Sequence, residues 1–410
     1  MKKFLAMLLA VVMLFALAAC KDTTAPVDGN DEVEVADDFK LGVILLHDEA
    51  STYDLNFING VKDAAAALGL TDAQVIMKKN IPEGNECYEA AADLVDLGCD
   101  VIFADSFGHE DYMIKAAKEF TDVEFCHATG TKAHTEGLDN YHNAFASIYE
   151  GRYLAGVAAG LKLNEMIEAG DITAEEAKMG YVGAFTYAEV MSGYTSFYLG
   201  AKSVCPSVTM EVQFTGSWYD ENEEKNAAIA LMNNNCVLIS QHADSMGAPT
   251  ACEERGVPNV SYNGSTKDAC PDTFIVSSRI DWAPYFKLIC EAAQKGEAIP
   301  TDWTGTIETG SVVLTEVNEQ AAAAGTVEKI EEVKAKLISG ETKVFDTATE
   351  GFITVEGAPL TTYLADVDTD EAFTPDTEAV ADGYFHESEY RSAPYFNVNI
   401  DGITLLNSKF

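Results

Sequence analysis

Short apolar runs alternate with longer amphipathic segments along the chain from Leu41 onward. Each run has the length of a buried strand, and each longer segment has the spacing of a helix with one apolar face. Strands that alternate with helices predict parallel βαβ units. The predicted strands cover residues 41–46, 75–77, 101–104, 123–126, 179–182, 210–214, 237–240, 260–262, 274–276 and 312–314. The predicted helices include residues 56–68, 87–97, 112–120, 149–168, 190–203, 221–234 and 282–295.

The number of strands predicts two lobes. About ten strands exceed one ordinary doubly wound sheet, so the pattern favours an α/β protein with two similar lobes. Each lobe is expected to contain a parallel sheet flanked by helices.

Polar and aromatic residues directly follow most of the predicted strands. Parallel sheets bind ligands outside the carboxyl ends of their strands, so these residues are expected to face a cleft between the lobes. In the first half of the chain the expected ligand contacts are Asp48, Tyr53, Asp54, Asn56, Phe57, Asp105, Ser106, Phe107, His109 and His127. In the second half they are Tyr187, Trp218, Gln241, His242, Asp244 and Asn263.

Aromatic residues in these loops suit a planar ligand. Phe57, Phe107 and either Tyr187 or Trp218 are candidates for stacking on a heterocycle. Phe57 lies at the start of an amphipathic helix, so packing in the core explains it equally well. The carboxylates could accept hydrogen bonds from ligand hydroxyls, or they could cap helices. For Asp220, directly before the helix predicted from residue 221, capping is the favoured interpretation.

The acidic composition excludes one class of partner. The sequence has 67 acidic and 26 basic residues, a formal net charge of -41. Such a charge repels a phosphate backbone, so no nucleic acid is expected to bind.

The first twenty residues predict export and anchoring. Met1-Lys2-Lys3 precedes the uncharged segment 4–19, and Leu17-Ala18-Ala19-Cys20 ends it. This is typical of a signal peptide and not of a membrane span. The tetrapeptide resembles a bacterial lipobox, which implies a lipidated Cys20 on the outer face of the cell membrane. The alternative is an ordinary secretory signal with an incidental cysteine. Residues 20–38 are predicted to form an acidic tether.

Eight further cysteines follow Cys20, and none of them forms a CxxC pair. This spacing argues against a zinc ribbon or a thioredoxin-type redox centre. An exported chain permits disulfides. Several cysteines lie in apolar runs, however, so buried free thiols are favoured.

Six short motifs occur in order behind the lipobox. They are Asp54 and Phe57 with Gly60, Ser106-Phe107-Gly108, 120–125, Glu150-Gly151-Arg152-Tyr153-Leu154-Ala155-Gly156, Gly180-Tyr181-Val182-Gly183 with Phe197 and Gly200-Ala201, and 216–220. In these residues the chain, from about 41 to 346, resembles the basic membrane protein family of substrate-binding lipoproteins. This family includes the purine-nucleoside receptor type and serves ATP-binding-cassette importers.

The resemblance implies a two-lobed type I periplasmic-binding-protein fold with three crossovers, near residues 145, 278 and 306. The first lobe would then comprise residues 39–145 and about 278–306, and the second 146–277 and about 307–350. Residues 351–410 would form a C-terminal extension whose polar-aromatic segment 384–396 packs as a flap or, alternatively, covers the cleft. Where the nucleoside type carries a late acidic residue and a lysine that contact the ligand, this chain has Asn263 and Arg279 or Asp281, so the resemblance implies Asp281 as a further ligand contact.

The resemblance also implies a function. We expect a monomeric, non-enzymatic receptor that captures a nucleoside-like small molecule and passes it to an ABC permease in the membrane. Hinge closure of the two lobes would signal to the permease that ligand is bound.

Two other functions remain open at this point. His47, His109, His127 and His242 all follow predicted strands and could converge on zinc. The sequence His242-Ala243-Asp244-Ser245 contains the residue types of a hydrolase, but neighbours in sequence do not establish catalytic geometry. There is no G-x-S-x-G, P-loop or G-x-G-x-x-G motif, so no cofactor is predicted.

Overall fold

Two sheets organise the chain in the computed structural model, which describes residues 36, 38–367 and 374–408. These residues belong to one compact unit. The predicted leader, Cys20 and all of the predicted tether except residues 36 and 38 lie outside the described residues.

The first sheet has six strands, and every neighbouring pair is parallel. Numbered in chain order, its strands are β1 (Leu41–Ile44), β2 (Val75–Lys78), β3 (Val101–Ala104), β4 (Glu124–Ala128), β5 (Tyr141–Ala146) and β11 (Asp302–Gly305). Their spatial order is β11-β5-β4-β3-β1-β2. The helices of this first lobe are α1 (Thr52–Leu68), α2 (Asn85–Asp96), α3 (Glu110–Glu119), α4 (Ala133–Glu136) and α9 (Ala283–Lys295).

The second sheet has seven strands and is parallel except at one edge. Its strands are β6 (Lys178–Gly183), β7 (Thr209–Phe214), β8 (Leu238–His242), β9 (Asn259–Tyr262), β10 (Phe274–Ile280), β12 (Val312–Leu314) and β19 (Ile403–Leu405). Their order is β12-β10-β9-β8-β6-β7-β19, with β12 antiparallel to β10. The helices of this second lobe are α5 (Ile148–Ala169), α6 (Ala188–Val204), α7 (Glu221–Asn233), α8 (Gly247–Arg255) and α10 (Thr326–Ile338).

The chain passes between the two sheets three times. It leaves the first sheet after β5, returns after β10 into α9, and passes to the second sheet again between β11 and β12. Because α9 packs against α1, its place in the first lobe is fixed by contacts as well as by connectivity. The predicted two-lobed α/β fold is confirmed.

Glycines allow two pairs of helices to approach closely. A Cβ atom on Gly156 of α5 would lie 2.0 Å from the carbonyl oxygen of Phe197, and one on Gly200 of α6 would lie 2.0 Å from that of Tyr153. A Cβ on Gly60 of α1 would lie 2.7 Å from the Cβ of Trp282, just before α9. Three glycines of the family motifs therefore occupy positions where larger residues would push helices apart.

A side-chain cap explains where α7 begins. Asp220 caps α7, since its carboxylate accepts hydrogen bonds from the backbone N–H groups of Asn222 and Glu223. The capping prediction is therefore confirmed.

All eight cysteines after Cys20 are buried free thiols, which confirms the preference for thiols over disulfides.

The C-terminal extension packs on the second lobe. Its ring contacts are made by Phe396, which stacks on Phe345 with ring centroids 4.4 Å apart, and by Phe385, which packs edge-on against Phe396. Strand β19 adds a parallel edge to β7. The remaining strands form three small antiparallel ribbons: β13 (Thr354–Val355) with β14 (Ala358–Pro359), β15 (Leu364–Ala365) with β16 (Thr377–Glu378), and β17 (Val380–Ala381) with β18 (Tyr384–Phe385).

No helix within the described residues is both long enough and apolar enough to cross a membrane.

Candidate ligand site

A cavity lies between the lobes at the carboxyl ends of the central strands, where parallel α/β sheets bind ligands. In this structure the cavity is narrow, with a volume of about 20 Å³. Residues of both lobes line it. They are Leu46, His47, Tyr53, Asp54, Ser106, Phe107 and Thr129 from the first lobe, and Glu189, Trp218, His242, Asp244 and Tyr262 from the second.

Asp54 is the ionised carboxylate of the first-lobe wall. It lies in the first turn of α1, which Ser51 caps. Its Oδ1 accepts a hydrogen bond of 2.7 Å from the backbone N–H of His47, and its Oδ2 lies 3.5 Å from His47 Nδ1. Burial opposes ionisation, but the hydrogen bonds from His47 and Ser51 outweigh it and hold the pKa of Asp54 below its usual value. Asp54 therefore presents a negative charge at the cavity.

Asp105 lies directly behind this wall. It is fully buried, and its Oδ1 accepts a hydrogen bond from the backbone N–H of Leu46. Burial, together with the neighbouring charge of Asp54, raises the pKa of Asp105 well above its usual value. The hydroxyl of Tyr53 donates to the backbone oxygen of Asp105 over 2.8 Å, which fixes the Tyr53 ring at the cavity. Of these two adjacent carboxyl groups, Asp54 therefore carries the negative charge and Asp105 keeps its proton.

The second-lobe wall pairs an acid with a histidine. Glu189, in the first turn of α6, places Oε1 3.3 Å from Nε2 of His242 at the end of β8. Burial lowers the pKa of His242, and the positive charge of Arg152 acts in the same direction. Arg152 is fully buried behind the wall, where its guanidinium lies 3.9 Å from the ring centroid of Tyr262. Among the described residues Arg152 forms no ion pair with a carboxylate. His242 therefore lies between one acid, Glu189, and one buried cation, Arg152.

Hydrogen bonds cross the cleft beside the cavity. Asn56 of α1 donates from Nδ2 to Oδ1 of Asn263 over 3.3 Å, and Asn263 donates to Oδ1 of Asp244 over 3.2 Å. The backbone N–H of Thr52 also donates to the carbonyl oxygen of Asp244. Burial and the charge of Glu224 raise the pKa of Asp244 well above its usual value. The first lobe is therefore bound directly to the loops after β8 and β9 of the second.

Aromatic rings from opposite lobes meet at the mouth of the cavity. Phe107 follows β3 in the first lobe, and its ring centroid lies 5.6 Å from that of Tyr187 in the second. Tyr187 stacks on Phe185, which packs edge-on against Trp218. Phe107 and Tyr187 are 43% and 42% exposed, so both present ring faces that a ligand can cover.

Two cavity loops contain strained backbone. Thr129 after β4 has φ 66°, and Asn263 after β9 also has φ 66°. Asparagine tolerates this left-handed conformation, but threonine is branched at Cβ and adopts it at a cost. Strained residues of this kind cluster at binding sites, where the surrounding structure holds them in place.

Seven of the residues expected to bind ligand line the cavity: Tyr53, Asp54, Ser106, Phe107, Trp218, His242 and Asp244. Asn56, Asp105 and Asn263 support that wall from behind or beside it. Tyr187 lies at the mouth.

The remaining expected residues do not line the cavity. Phe57 is fully buried and stacks on Trp282 with ring centroids 4.4 Å apart, so it belongs to the core. Gln241 is buried and accepts a hydrogen bond from Asn259. Asp48 accepts hydrogen bonds from the backbone N–H of Ala50 and the side chain of Asn80, and Asp281 accepts one from the backbone N–H of Ala283 at the start of α9.

Four cavity residues, Leu46, Thr129, Glu189 and Tyr262, were not among the expected ligand contacts. Leu46 and Tyr262 end apolar runs and look like core residues, whereas Glu189 looks like an ordinary charge in a first helical turn. Thr129 follows a strand in the same way as Phe107, so its position alone could have identified it. His47 is also a cavity residue, which the sequence indicated only as a metal ligand.

The alternative in which four histidines converge on zinc is not supported. His109 Nε2 lies 3.0 Å from the backbone oxygen of Ile81, and His127 Nε2 lies 2.6 Å from that of Ser106. Burial lowers the pKa of both histidines to about 4. Throughout the part of the chain that the structure describes, no three His, Cys, Asp or Glu side chains form a group able to hold a metal ion.

The residue types of a hydrolase are adjacent in sequence but have other partners. The Ser245 hydroxyl accepts a hydrogen bond from the backbone N–H of Gly247 at the start of α8. Asp244 is bonded to Asn263, and His242 faces Glu189. The geometry shown is that of a helix start and a cavity wall.

Comparison with known proteins identifies the family. The family model described as Bmp, ABC transporter substrate-binding protein PnrA-like, matches residues 43–347. A purine-binding protein of Brucella abortus (strain 2308) is 32% identical over 289 residues, which cover 69% of this chain and 76% of that protein. A proposed ABC transporter glucose-binding protein of Haloferax volcanii is 33% identical over 217 residues, about half of each chain (53% and 52%).

Solved structures show the same fold. An ABC transporter solute-binding protein from Aeropyrum pernix K1 superposes with a TM-score of 0.62 at 16% identity, covering 76% of this chain and 94% of that one. One from Conexibacter woesei DSM 14684 superposes with a TM-score of 0.61 at 17% identity, covering 74% and 98%. The chain therefore belongs to the PnrA-like Bmp family of ABC transporter substrate-binding proteins, extracytoplasmic proteins that bind a small molecule and deliver it to a membrane permease.

Proposed function

We propose that this protein captures a nucleoside-like ligand between its lobes. The observation that carries the proposal is the meeting of aromatic rings from both lobes, Phe107 and Tyr187, at a cavity walled by buried carboxyl groups. Planar heterocycles stack on aromatic rings, with a contribution of about 1 to 3 kcal/mol for each stacked base. Carboxyl and carboxylate oxygens accept hydrogen bonds from the N–H groups of a base and the hydroxyls of a ribose.

The charges of the walls favour a neutral ligand. Asp54 and Glu189 line the cavity, and the cation Arg152 lies behind Tyr262 without reaching it. An anionic ligand would be repelled by both acids. A neutral nucleoside offers donors to these acceptors without that penalty.

A relative supports this ligand class. The Brucella abortus protein, 32% identical, carries the name of a purine-binding protein. The Haloferax volcanii relative carries the name of a glucose-binding protein, which makes a sugar the principal alternative.

The experiment is a calorimetric titration of the purified protein with adenosine, guanosine, inosine, adenine and glucose. We expect saturable one-to-one binding of at least one purine nucleoside and no heat with glucose. Binding of glucose alone would refute the proposal and support the sugar alternative. Binding raises the melting temperature as well, which provides an independent measurement.

We also propose that the protein acts as a monomer at the outer face of the cell membrane, held by lipid on Cys20. Ligand capture would close the two lobes, with the boundaries predicted from the sequence, about the three crossovers. A Cys20→Ser variant tests the anchor. We expect it to leave the membrane fraction and to lose labelling by a radioactive fatty acid, whereas retention of both would contradict lipidation.

A further inference from the structure

A second compartment adjoins the cavity. The two spaces share three lining residues, Phe107, Thr129 and Glu189. The compartment has a volume of about 310 Å³, against about 20 Å³ for the cavity. Its other wall is formed by Arg391, Ala393, Pro394 and Asn397, which lie beyond residue 347, where the match to the family ends.

This wall is a fixed part of the molecule. The backbone N–H of Ser392 donates to Oδ2 of Asp302 on β11 over 2.7 Å, which attaches the segment to the first lobe. Buried Glu387 accepts hydrogen bonds from the backbone N–H groups of Tyr395 and Phe396. The stacking of Phe396 on Phe345 holds the segment on the second lobe. Contacts from both lobes therefore position the extension beside the cleft.

The chemistry of the compartment differs from that of the cavity. Most of its polar lining is neutral: the hydroxyls of Thr129, Thr131, Thr186 and Tyr187 and the amide of Asn397. Its charged residues are one acid, Glu189, and one base, Arg391, which already donates to the backbone oxygens of Ala393 and Pro394. Hydroxyls and amides both donate and accept hydrogen bonds, so they match a polyhydroxylated group.

We infer that the C-terminal extension completes the ligand site and that this compartment receives the glycosyl part of the ligand. The base would lie against the exposed rings of Phe107 and Tyr187 at the mouth of the cavity, and the sugar would pass Glu189 toward Asn397. This inference rests on the proposed function and specifies how the ligand is oriented. It also assigns a binding role to residues outside the family match.

The test introduces a large side chain into the compartment from the wall that the C-terminal extension forms. Asn397 is exposed, and the hydrogen bond from Tyr363 is to its backbone oxygen, so Asn397→Trp keeps the main-chain contact. Ala188→Trp fills the opposite wall and serves as a second variant. Asn233→Trp is the control, because Asn233 is exposed at the end of α7 that precedes β8, away from the carboxyl ends.

Affinities for adenine and adenosine are measured on the full chain by calorimetry. We expect Asn397→Trp and Ala188→Trp to weaken adenosine binding at least tenfold and adenine binding less than twofold, with both affinities unchanged in Asn233→Trp. Unchanged adenosine affinity, or equal losses for both ligands, would overturn the inference. If the wild type binds both ligands equally, only the inference fails; if it binds neither purine nor any other nucleoside, the proposed function fails as well.

Discussion

Asn56 of the first lobe donates a hydrogen bond of 3.3 Å to the side-chain oxygen of Asn263 in the second lobe. Both residues are buried, and Asn263 passes the contact on to Asp244 of the cavity wall. A hydrogen bond across the cleft exists only while the lobes are together. It therefore couples the state of the hinge to the state of the cavity.

Removal of this contact should favour the open form. In Asn56→Ala the closed form loses one buried hydrogen bond, worth about 0.5 to 1.5 kcal/mol, while the open form loses none. We expect the dissociation constant for the ligand to rise about 2- to 12-fold, mainly through faster dissociation. Stopped-flow fluorescence measures both rates.

Asn234→Ala provides the control for this change, because the Asn234 side chain bonds to Glu211 within the second lobe. Its ligand kinetics should match those of the wild type. If Asn56→Ala leaves the dissociation rate unchanged, the contact across the cleft does not stabilise the closed form.

Phe107 and Trp218 should contribute to affinity without supporting the fold. Phe107 is 43% exposed, and Trp218 is only partly buried, so truncation to alanine leaves no large internal cavity. Loss of one stacked ring costs about 1 to 3 kcal/mol of binding free energy, which raises the dissociation constant roughly 5- to 150-fold. Titration of Phe107→Ala and Trp218→Ala with the best nucleoside tests this expectation.

Tyr88→Ala is the matched control for the aromatic substitutions. Tyr88 is a partly exposed ring on α2, and its hydroxyl donates a hydrogen bond to Glu119. No residue of α2 lines the cavity or the compartment. Melting temperatures of all three variants should stay near that of the wild type. Unchanged affinity in both cleft variants would exclude these rings from the site.

Much of the fold follows from periodicity, because buried strands and amphipathic helices both have strong patterns. All ten apolar runs became strands, and the helix bounds differ by a few residues at most. Three strands of the two sheets were not predicted: β5, β11 and β19. β5 is buried inside the first sheet, but its sequence Tyr141-His142-Asn143 is not an apolar run. The other two lie at sheet edges and have weak patterns: β11 begins Asp302-Trp303-Thr304, and β19 is three residues long. Edge strands bury only part of their surface, so their sequences show little apolar periodicity.

The site was harder to predict than the fold. Residues after strands were placed at the cleft, because parallel topology alone determines where strands end. Which of them face the cavity depends on side-chain direction. Phe57 and Phe107 have the same residue type and both follow strands, yet Phe57 packs on Trp282 and Phe107 reaches the cavity. The sequence left open whether segment 384–396 covers the cleft, and it did not indicate that Arg391 and Asn397 line one compartment with Thr129, because that arrangement depends on long-range packing.

The eight buried thiols should be unreactive in the folded protein. Burial raises the pKa of Cys99 and of Cys270 to about 11, so neither forms thiolate at neutral pH. We expect a thiol-specific aromatic disulfide reagent to label none of the eight cysteines after Cys20 in the native protein and all eight in urea. Reducing agent should leave the melting temperature unchanged. A loss of stability on reduction would reveal a disulfide that contradicts the structure.

Gly200→Ala should destabilise the second lobe. Alanine favours a helix over glycine by about 1 kcal/mol, which alone would stabilise α6. The new Cβ would, however, lie 2.0 Å from the backbone oxygen of Tyr153, so α5 and α6 must move apart. Overpacking of this kind costs about 1 to 3 kcal/mol or more. We expect a net loss in the free energy of unfolding, measured by urea denaturation.

Gly264→Ala is the comparison for the glycine substitution, since the nearest atom to its new Cβ would be 3.7 Å away on Thr52. Its free energy of unfolding should stay within about 0.5 kcal/mol of the wild-type value, as for most uncrowded surface changes. Equal stability of Gly200→Ala and wild type would mean that the two helices are not in close contact.

Glu387 should make the fold less stable as the pH rises. Its carboxyl group is buried within the extension, and burial raises its pKa from 4.5 to about 7. The folded protein therefore retains a proton that the unfolded chain releases. The contribution of this group to the free energy of unfolding is full below about pH 4.5 and is lost as the pH rises through about 7.

Glu387→Gln cannot ionise and keeps an oxygen that can accept from Tyr395 and Phe396. Between about pH 5 and about pH 8 the variant should lose less stability than the wild type, by up to about 3 kcal/mol. Some pH dependence will remain, because burial also raises the pKa values of Glu150 and Glu224 to about 7. Urea denaturation at both pH values measures the difference, with exposed Glu350→Gln as the control for loss of one acidic residue. If the stability of Glu387→Gln falls in parallel with that of the wild type, Glu387 does not lose its proton in this range and does not weaken the attachment of the extension beside the cleft.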